Sequence, residues 1–294
     1  MNAKVKAARL SLFSNSTLII LKLIVALATG SVSIISEAIH STMDLLAATI
    51  AFFSVKISDK PADDIHPYGH GKVENISGVI ESLLILAASA LIIIEAIKKL
   101  IVPGKVESII LGFIVMFISS AINFMVSRKL YKIAKQEDSI ALEADALHLK
   151  ADIYTSLGVG IGLLLIWITK LHFLDPIIAI LVAIFILKEA IKLLVSSFNP
   201  LLDVKLSSDE IEIIKNSINK FSSIYCNYHN FKTRKSGRDR YIELHLVFPE
   251  NMRIKDAHDV CDKIENDIKE SLNHSEIMIH LESSESNLNF DKCD

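Results

Sequence analysis

ISGVIESLLILAASALIIIEAIKKLI, residues 76–101, exceeds the roughly 20 apolar residues that a helix needs to cross the hydrocarbon core of a bilayer. It reads as a membrane span. Working outward with a window of that length, five further apolar runs precede residue 200, at 11–29, 33–54, 107–127, 153–169 and 176–197. Of 294 residues, 51% are hydrophobic and 22% charged, too apolar for an ordinary soluble domain. Past Asp203 the composition shifts to mixed polarity with short alternating runs. The expected fold class is an α-helical membrane protein: a six-span transmembrane bundle over 1–203, then a soluble α+β domain over 204–294.

The links ATGSVS, VPGKVE and KLHFLDP are short, which makes neighbouring spans antiparallel. Asp175 and Pro176 read as an N-cap followed by a first-turn proline. Residues 1–10 are basic, but no small-residue cleavage site follows the first run, so it is expected to be a retained span. Ten lysines and arginines collect near the span ends on one side (Lys4, Lys56 and Arg128 among them), against Lys98, Lys99, Lys105 and Lys170 on the other. The excess puts both termini in the cytoplasm of a multi-pass protein of the cell membrane. Cys226, Cys261 and Cys293 all fall in the tail, and an odd number in a reducing compartment argues against a disulfide framework. Net charge is −3 and the tail is acidic, so nucleic acid is excluded as a partner.

In the tail, SSDEIEIIKNSINKF has apolar residues at helical spacing, and RYIELHLVF alternates so that Ile242, Leu244, Leu246 and Phe248 share a face. IKDAHDVCDKIENDIKESL is an amphipathic helix with Ile254, Ala257, Cys261, Ile264, Ile268 and Leu272 inward, and EIMIHLE is a closing strand. The expected order is helix, strand, strand, helix, strand.

The same polar pair occurs twice, His40 with Asp44 in the middle of one apolar stretch and His148 with Asp152 at the mouth of another. Residues four apart on a helix point the same way, and an aspartate in mid-membrane costs about 2.5–3.5 kcal/mol. Two facing pairs offer two imidazole nitrogens and two carboxylates, a set suited to tetrahedral Zn²⁺. One such pair is accounted for by a hydrogen bond within its helix; its repetition on two spans points to ligands. Glu37 and Asp145 are placed to orient the imidazoles. Glu81, Glu95 and Lys22 are expected to pair inside the bundle or to reach for the interface. The loop DDIHPYGHG adds Asp63, His66 and His70 at ligand spacing, where Pro67 and Gly69 forbid a regular helix. By strand alternation, His245 lies opposite the core face, and so do His280 with Glu282; His258 flanks its helix's inward stripe and His229 ends the preceding strand. These make a candidate second metal site.

On these motifs the chain resembles the cation diffusion facilitators along essentially its whole length. The H-x-x-x-D pairs look like the family's transport site, PADDIHPYGHGKVE (61–74) is similar to its loop after the second span, and NPLLD (199–203) to its hinge. The resemblance implies a homodimeric metal/proton antiporter whose cytoplasmic tail is metallochaperone-like. It implies that His40, Asp44, His148 and Asp152 form the transport site and that Asp63, His66 and His70 match the loop site of the zinc/iron branch. His229, His245, His258, His280 and Glu282 match a binuclear site at the tail dimer interface, and Lys72 with Asp203 a charge pair holding the protomers together. The chain departs from that branch in having His40 where aspartate is often found, and Glu282 where aspartate is common.

The expected function is efflux of a divalent cation, Zn²⁺ first and Fe²⁺, Co²⁺, Cd²⁺ or Mn²⁺ as alternatives, in exchange for protons, with Zn²⁺ also a regulatory ligand. A membrane-anchored metal sensor is the rival, but an anchor has no use for buried His–Asp pairs. A zinc hydrolase would need a general base such as the glutamate of HExxH, and no such motif occurs.

Overall fold

The computed structural model describes residues 2–29, 32–101, 110–169, 171 and 173–284. It comprises two compact units, Met1–Phe198 and Asn199–Asp294.

The first unit is six helices, α1 (Ala3–Thr29), α2 (Val32–Ser58), α3 (Lys72–Ile101), α4 (Ile110–Glu137), α5 (Ile140–Thr169) and α6 (Leu174–Phe198). Among the described residues, Ala3–Val25, Ser41–Ser58 and Lys72–Lys98 are long and apolar enough to cross a membrane. Their outer faces leave large apolar side chains such as Leu23, Ile24 and Leu83 exposed, as lipid-facing helices require. With no water in the hydrocarbon core, each helix must satisfy its own backbone.

One boundary departs far from expectation. α5 starts at Ile140, well ahead of the apolar run at 153–169. Glu143, Asp145, His148, Lys150 and Asp152 depress the hydropathy of its first turns, yet Ala141, Leu142, Ala146 and Leu149 are buried there. His148 and Asp152 therefore sit within a continuous helix and not at its mouth. α6 starts slightly before Pro176, which still lies in the first turn, where a missing N–H costs nothing.

α5 is the hub, packed against α4, α6, α3 and α2, while α3 lies along α6 and α1 along α2. Small residues permit the close approach: Ala47, Ala48 and Ala51 on α2, Ala144 on α5 and Ala190 on α6 are all fully buried. A Cβ added to Gly78 on α3 would meet Ser197 Oγ of α6 at 2.5 Å, so that crossing admits only glycine without movement.

Where α1, α3 and α5 begin, Glu74 ties four helix ends together. Lys4 Nζ donates to Glu74 Oε1 at 2.8 Å and lies 3.6 Å from Asp59. Ser58 Oγ donates to the same Oε1 at 2.7 Å, and Ser139 Oγ donates to Oε2. Asn2 Nδ2 completes the knot by donating to both oxygens of Asp59. Lys4, Glu74 and Ser139 are all buried.

The second unit runs from a 3-10 turn (Asn199–Leu202) through α7 (Ser208–Asn219), β1 (Asn227–Ser236), β2 (Asp239–Phe248), α8 (Ile254–Ser271) and β3 (Ser275–Ser283). The element order is the expected one. Ser207 and Glu210 close a reciprocal capping box on α7, and Arg240 Nε donates to Glu210 at 2.7 Å, fastening that cap to β2. The sheet order is β1-β2-β3, antiparallel then parallel, with α8 as the crossover. Ile214, Ile218, Ile242, Leu244, Leu246, Ile264 and Ile268 form the core between helices and sheet. Ile254 was expected inward but is 81% exposed, because it opens α8 one turn before the buried stripe begins at Ala257. Cys226 is disulfide-bonded, against the expectation from the compartment: an odd count still leaves one pair. Cys261 is free and buried, and burial pushes its thiol up to about 12, so it is no thiolate ligand at neutral pH.

Candidate metal centres

The most enclosed donor set lies inside the helical unit. Asp44 on α2 and His148 on α5 meet with Asp44 Oδ1 and His148 Nε2 3.1 Å apart, both side chains buried. Asp152, one turn beyond His148, completes a group whose donor atoms all lie within 4.8 Å of one another. His40 belongs to α2 one turn before Asp44, but its side chain, like that of Glu37, lies outside what the structure describes. Next along α2, Ser41 accepts from Lys22 Nζ at 2.7 Å, so this lysine is held within the bundle. The expected bond from Asp145 to an imidazole is not formed: both its oxygens lack a hydrogen-bond partner among the described residues. Asp145 precedes His148 by three residues, and nothing in local spacing fixes how either side chain is turned.

The second group sits on the surface loop between α2 and α3. Asp63 Oδ1 accepts from the amides of Ile65 at 3.1 Å and His66 at 2.7 Å, curling the chain so that His66 and His70 face the carboxylate. His66 Nδ1 is 3.3 Å from Asp63 Oδ1 and His70 Nε2 is 3.4 Å from Oδ2, with the two rings 4.5 Å apart. Gly69 has φ 75°, a conformation in which a side chain is strained, and it turns His70 back. The His66 amide holds the Asp63 carboxyl below its ordinary value, so the loop presents an ionised carboxylate beside two imidazoles.

The third group lies on the sheet face opposite α7 and α8. His229 of β1 is registered across from His245 of β2, and His245 across from His280 of β3. Three imidazoles thus stand in a row, with ring centroids 5.1 and 4.8 Å apart. Glu282, two residues past His280 on the same face, reaches back between them: Oε1 is 2.6 Å from His245 Nδ1 and Oε2 is 3.3 Å from His229 Nε2. Asn230 Nδ2 is 2.9 Å from His245 Nε2, the other ring nitrogen. An amide donor there and a carboxylate on Nδ1 select the Nδ1–H tautomer. Asn230 was missed by sequence reasoning; it has φ 50° at the irregularity between His229 and Lys232, a conformation asparagine tolerates. His229 lies near the start of β1 and does not end it.

His258 stands apart. It is exposed on α8, 3.8 Å from Asp262, while α8 covers the sheet face opposite the histidine row. Lys72 opens α3 in the first unit, and Asp203 follows the 3-10 turn in the second, 3.6 Å from Arg234. His172 lies outside the described residues, and His274 is 3.9 Å from Asp239.

Known proteins bear on these groups. Residues 8–202 match the model of the cation efflux transmembrane domain, and residues 206–284 that of the cation efflux protein cytoplasmic domain. An uncharacterized transporter of Synechocystis sp. is 33% identical over 257 residues, 87% of this chain and 83% of that one. The cation-efflux pump FieF of Shewanella oneidensis is 30% identical over 277 residues, 93% of this chain and 92% of that one. A solved chain of CzrB, provisionally named a zinc transporter, aligns with 27% of this chain and 99% of its own, at 26% identity and TM-score 0.26.

Proposed function

The chain belongs to the cation diffusion facilitator family of membrane transporters, and from that premise we propose that it exports a divalent cation, Zn²⁺ before Fe²⁺, Co²⁺, Cd²⁺ or Mn²⁺, from the cytoplasm in exchange for protons. The observation that carries this reading is the Asp44–His148–Asp152 group, with Asp44 and His148 buried and Asp152 half-buried; His40 is taken as fourth ligand. Residues 1–203 form the transport unit in the cell membrane, both termini are cytoplasmic, and residues 204–294 form the regulatory and dimerisation domain. Metal flux into proteoliposomes, with and without a pH gradient, tests it across a panel of divalent ions. No flux of any ion would overturn it, and flux indifferent to the gradient would remove the proton coupling.

Cation and proton compete for the same atoms. A proton on His148 Nε2 closes the 3.1 Å contact to Asp44. A cation entering between them needs a neutral imidazole and ionised carboxylates, so loading expels protons. Facing outward, the site exchanges cation for proton, and the inward proton gradient resets it. Alternating access arises from movement within the bundle.

Selectivity follows from the donors. Two imidazoles and two carboxylates suit Zn²⁺ in a tetrahedron, whereas larger cations gain from more oxygens. His40→Asp adds a carboxylate and a negative charge. The ratio of Zn²⁺ to Cd²⁺ flux, high in the wild type, should narrow in that variant; an unchanged ratio would mean that His40 does not set selectivity.

In the C-terminal domain, His229, His245, His280 and Glu282 bind regulatory metal. His258, on the wrong side of its own sheet, joins such a site only across a homodimer. Titrated in a calorimeter, the domain over 204–294 should bind Zn²⁺, and His245→Ala should weaken binding at least tenfold, since one ligand of a converging set is lost. Equal binding by both would remove the assignment. Lys72 and Asp203 form a charge pair that holds the protomers together: each single charge reversal should weaken the dimer and the double reversal restore part of it. Strictly additive effects would mean that the two never meet.

A further inference from the structure

The carboxylates that the transport site leaves unused lie just beside it. Asp145 of α5 is fully buried with both oxygens lacking a hydrogen-bond partner among the described residues. Glu81 of α3 is also fully buried; Oε1 accepts from Ser77 Oγ at 3.1 Å, and Oε2 has no partner among the described residues. Neither reaches the surface, and among the described residues neither is bonded to a lysine or arginine, so Glu81 does not snorkel and its partner within the bundle is a serine. α3 packs against α5 here: Ile85, one turn beyond Glu81, and Ala144, next to Asp145, belong to one buried cluster. From a third helix, Ser11 of α1 faces Asp145 without closing a hydrogen bond of normal geometry. Ser11 is fully buried, and its Oγ has no partner among the described residues. One turn on, Asn15 is buried with Nδ2 unpartnered in the same way.

Buried polar groups are almost always bonded, and a cluster of exceptions calls for an absent water or ion. Here α5 packs against both α3 and α1, and the three helices carry two carboxylates and a hydroxyl, all oxygens and all withdrawn from solvent. Position adds a direction. α5 begins at the end of the bundle held by Glu74, and Asp145 lies about 4.5 Å nearer that end than His148, at 1.5 Å of rise per residue.

We propose that Glu81, Asp145 and Ser11 form a second, oxygen-only divalent-cation site, which receives the cargo from the cytoplasmic side before it passes to Asp44, His148 and Asp152. The proposal rests on the exporter reading for its direction and not for the existence of the site. Oxygen donors bind a borderline cation such as Zn²⁺ less tightly than a set containing imidazole. A loading station must hold the ion weakly enough to release it onward, and this difference supplies the drop.

The test uses the full-length protein in two arms. In the first, Mn²⁺ binding to detergent-solubilised protein is followed by electron paramagnetic resonance. The background removes the other three groups with Asp152→Ala, Asp63→Ala and Glu282→Ala. One Mn²⁺ per protomer should remain, and adding Asp145→Asn with Glu81→Gln should abolish it. No bound Mn²⁺ in a background that elutes as a folded protein, or Mn²⁺ that survives the amides, overturns the site. In the second arm, Asp145→Asn and Glu81→Gln are made in the otherwise native chain. They preserve shape and remove charge, so acids that merely pack in neutral form would tolerate them. The KM for the transported cation should rise at least tenfold with kcat changed far less, and an unchanged KM overturns the loading role. A wild type that moves no divalent cation would instead defeat the exporter reading, leaving the Mn²⁺ arm to be read by itself.

Discussion

Asp152→Ala should lower divalent-cation flux in proteoliposomes by at least two orders of magnitude while leaving the protein folded. Asp152 is one of three donors described within 4.8 Å of one another, and the other carboxylate of that group, Asp44, already meets His148, so nothing in the group replaces the lost oxygens. A four-ligand zinc set is worth about 10–16 kcal/mol in apparent binding free energy, so an even share is about 2.5–4 kcal/mol per ligand. At about 1.4 kcal/mol per decade, that share is roughly a hundred- to a thousandfold in affinity. Stability should move the other way or stay level, because removing the half-buried Asp152 relieves repulsion with the buried Asp44. Flux and thermal unfolding on the same preparation decide it. Wild-type flux sinks the assignment, and a large loss of melting temperature would mean that Asp152 is structural.

Lys4→Met should be the most destabilising single change away from the donor groups. It leaves Glu74 buried with only the hydroxyls of Ser58 and Ser139 to answer its charge. Breaking a buried pair by removing one partner costs about 3–5 kcal/mol, because the remaining charge is uncompensated. The prediction is a clear fall in the apparent melting temperature of the detergent-solubilised protein. Adding Glu74→Gln to Lys4→Met should recover most of the loss, since an amide keeps acceptor oxygen and hydrogen-bonding capacity without the charge. Unchanged melting in the single variant would mean that the Lys4–Glu74 contact, although 2.8 Å long, contributes nothing to holding the helix ends.

The limits of the sequence show at particular residues. Hydropathy located the helical unit but cut α5 short, because the polar groups that give that helix its chemistry also lower its average apolarity. The i, i+4 spacing aligned each His–Asp pair on its own helix and was silent on whether the pairs face each other. Asp145 read as a support for His148 from its place three residues away, yet the side chain makes no such bond. Alternation put His245, His280 and Glu282 on the outer sheet face, but parity says nothing about which residue of one strand stands opposite which residue of the next. Asn230, which holds the second nitrogen of His245, carried no signal beyond asparagine's tolerance of positive φ.

What the sequence determined by itself was local and periodic. Long apolar runs must be helices in lipid, because a backbone without water has to bond to itself, and period-two alternation assigns strand faces because successive side chains point in opposite directions. What only the tertiary structure decided was contact between distant segments. Asp44 meets His148 across 104 positions because α2 and α5 pack against each other, and His229, His245 and His280 align because backbone hydrogen bonds set a strand register that side-chain pattern cannot specify. The unpartnered carboxylates of Glu81 and Asp145 belong to the same class, since whether a buried acid finds a partner depends on which helices close around it.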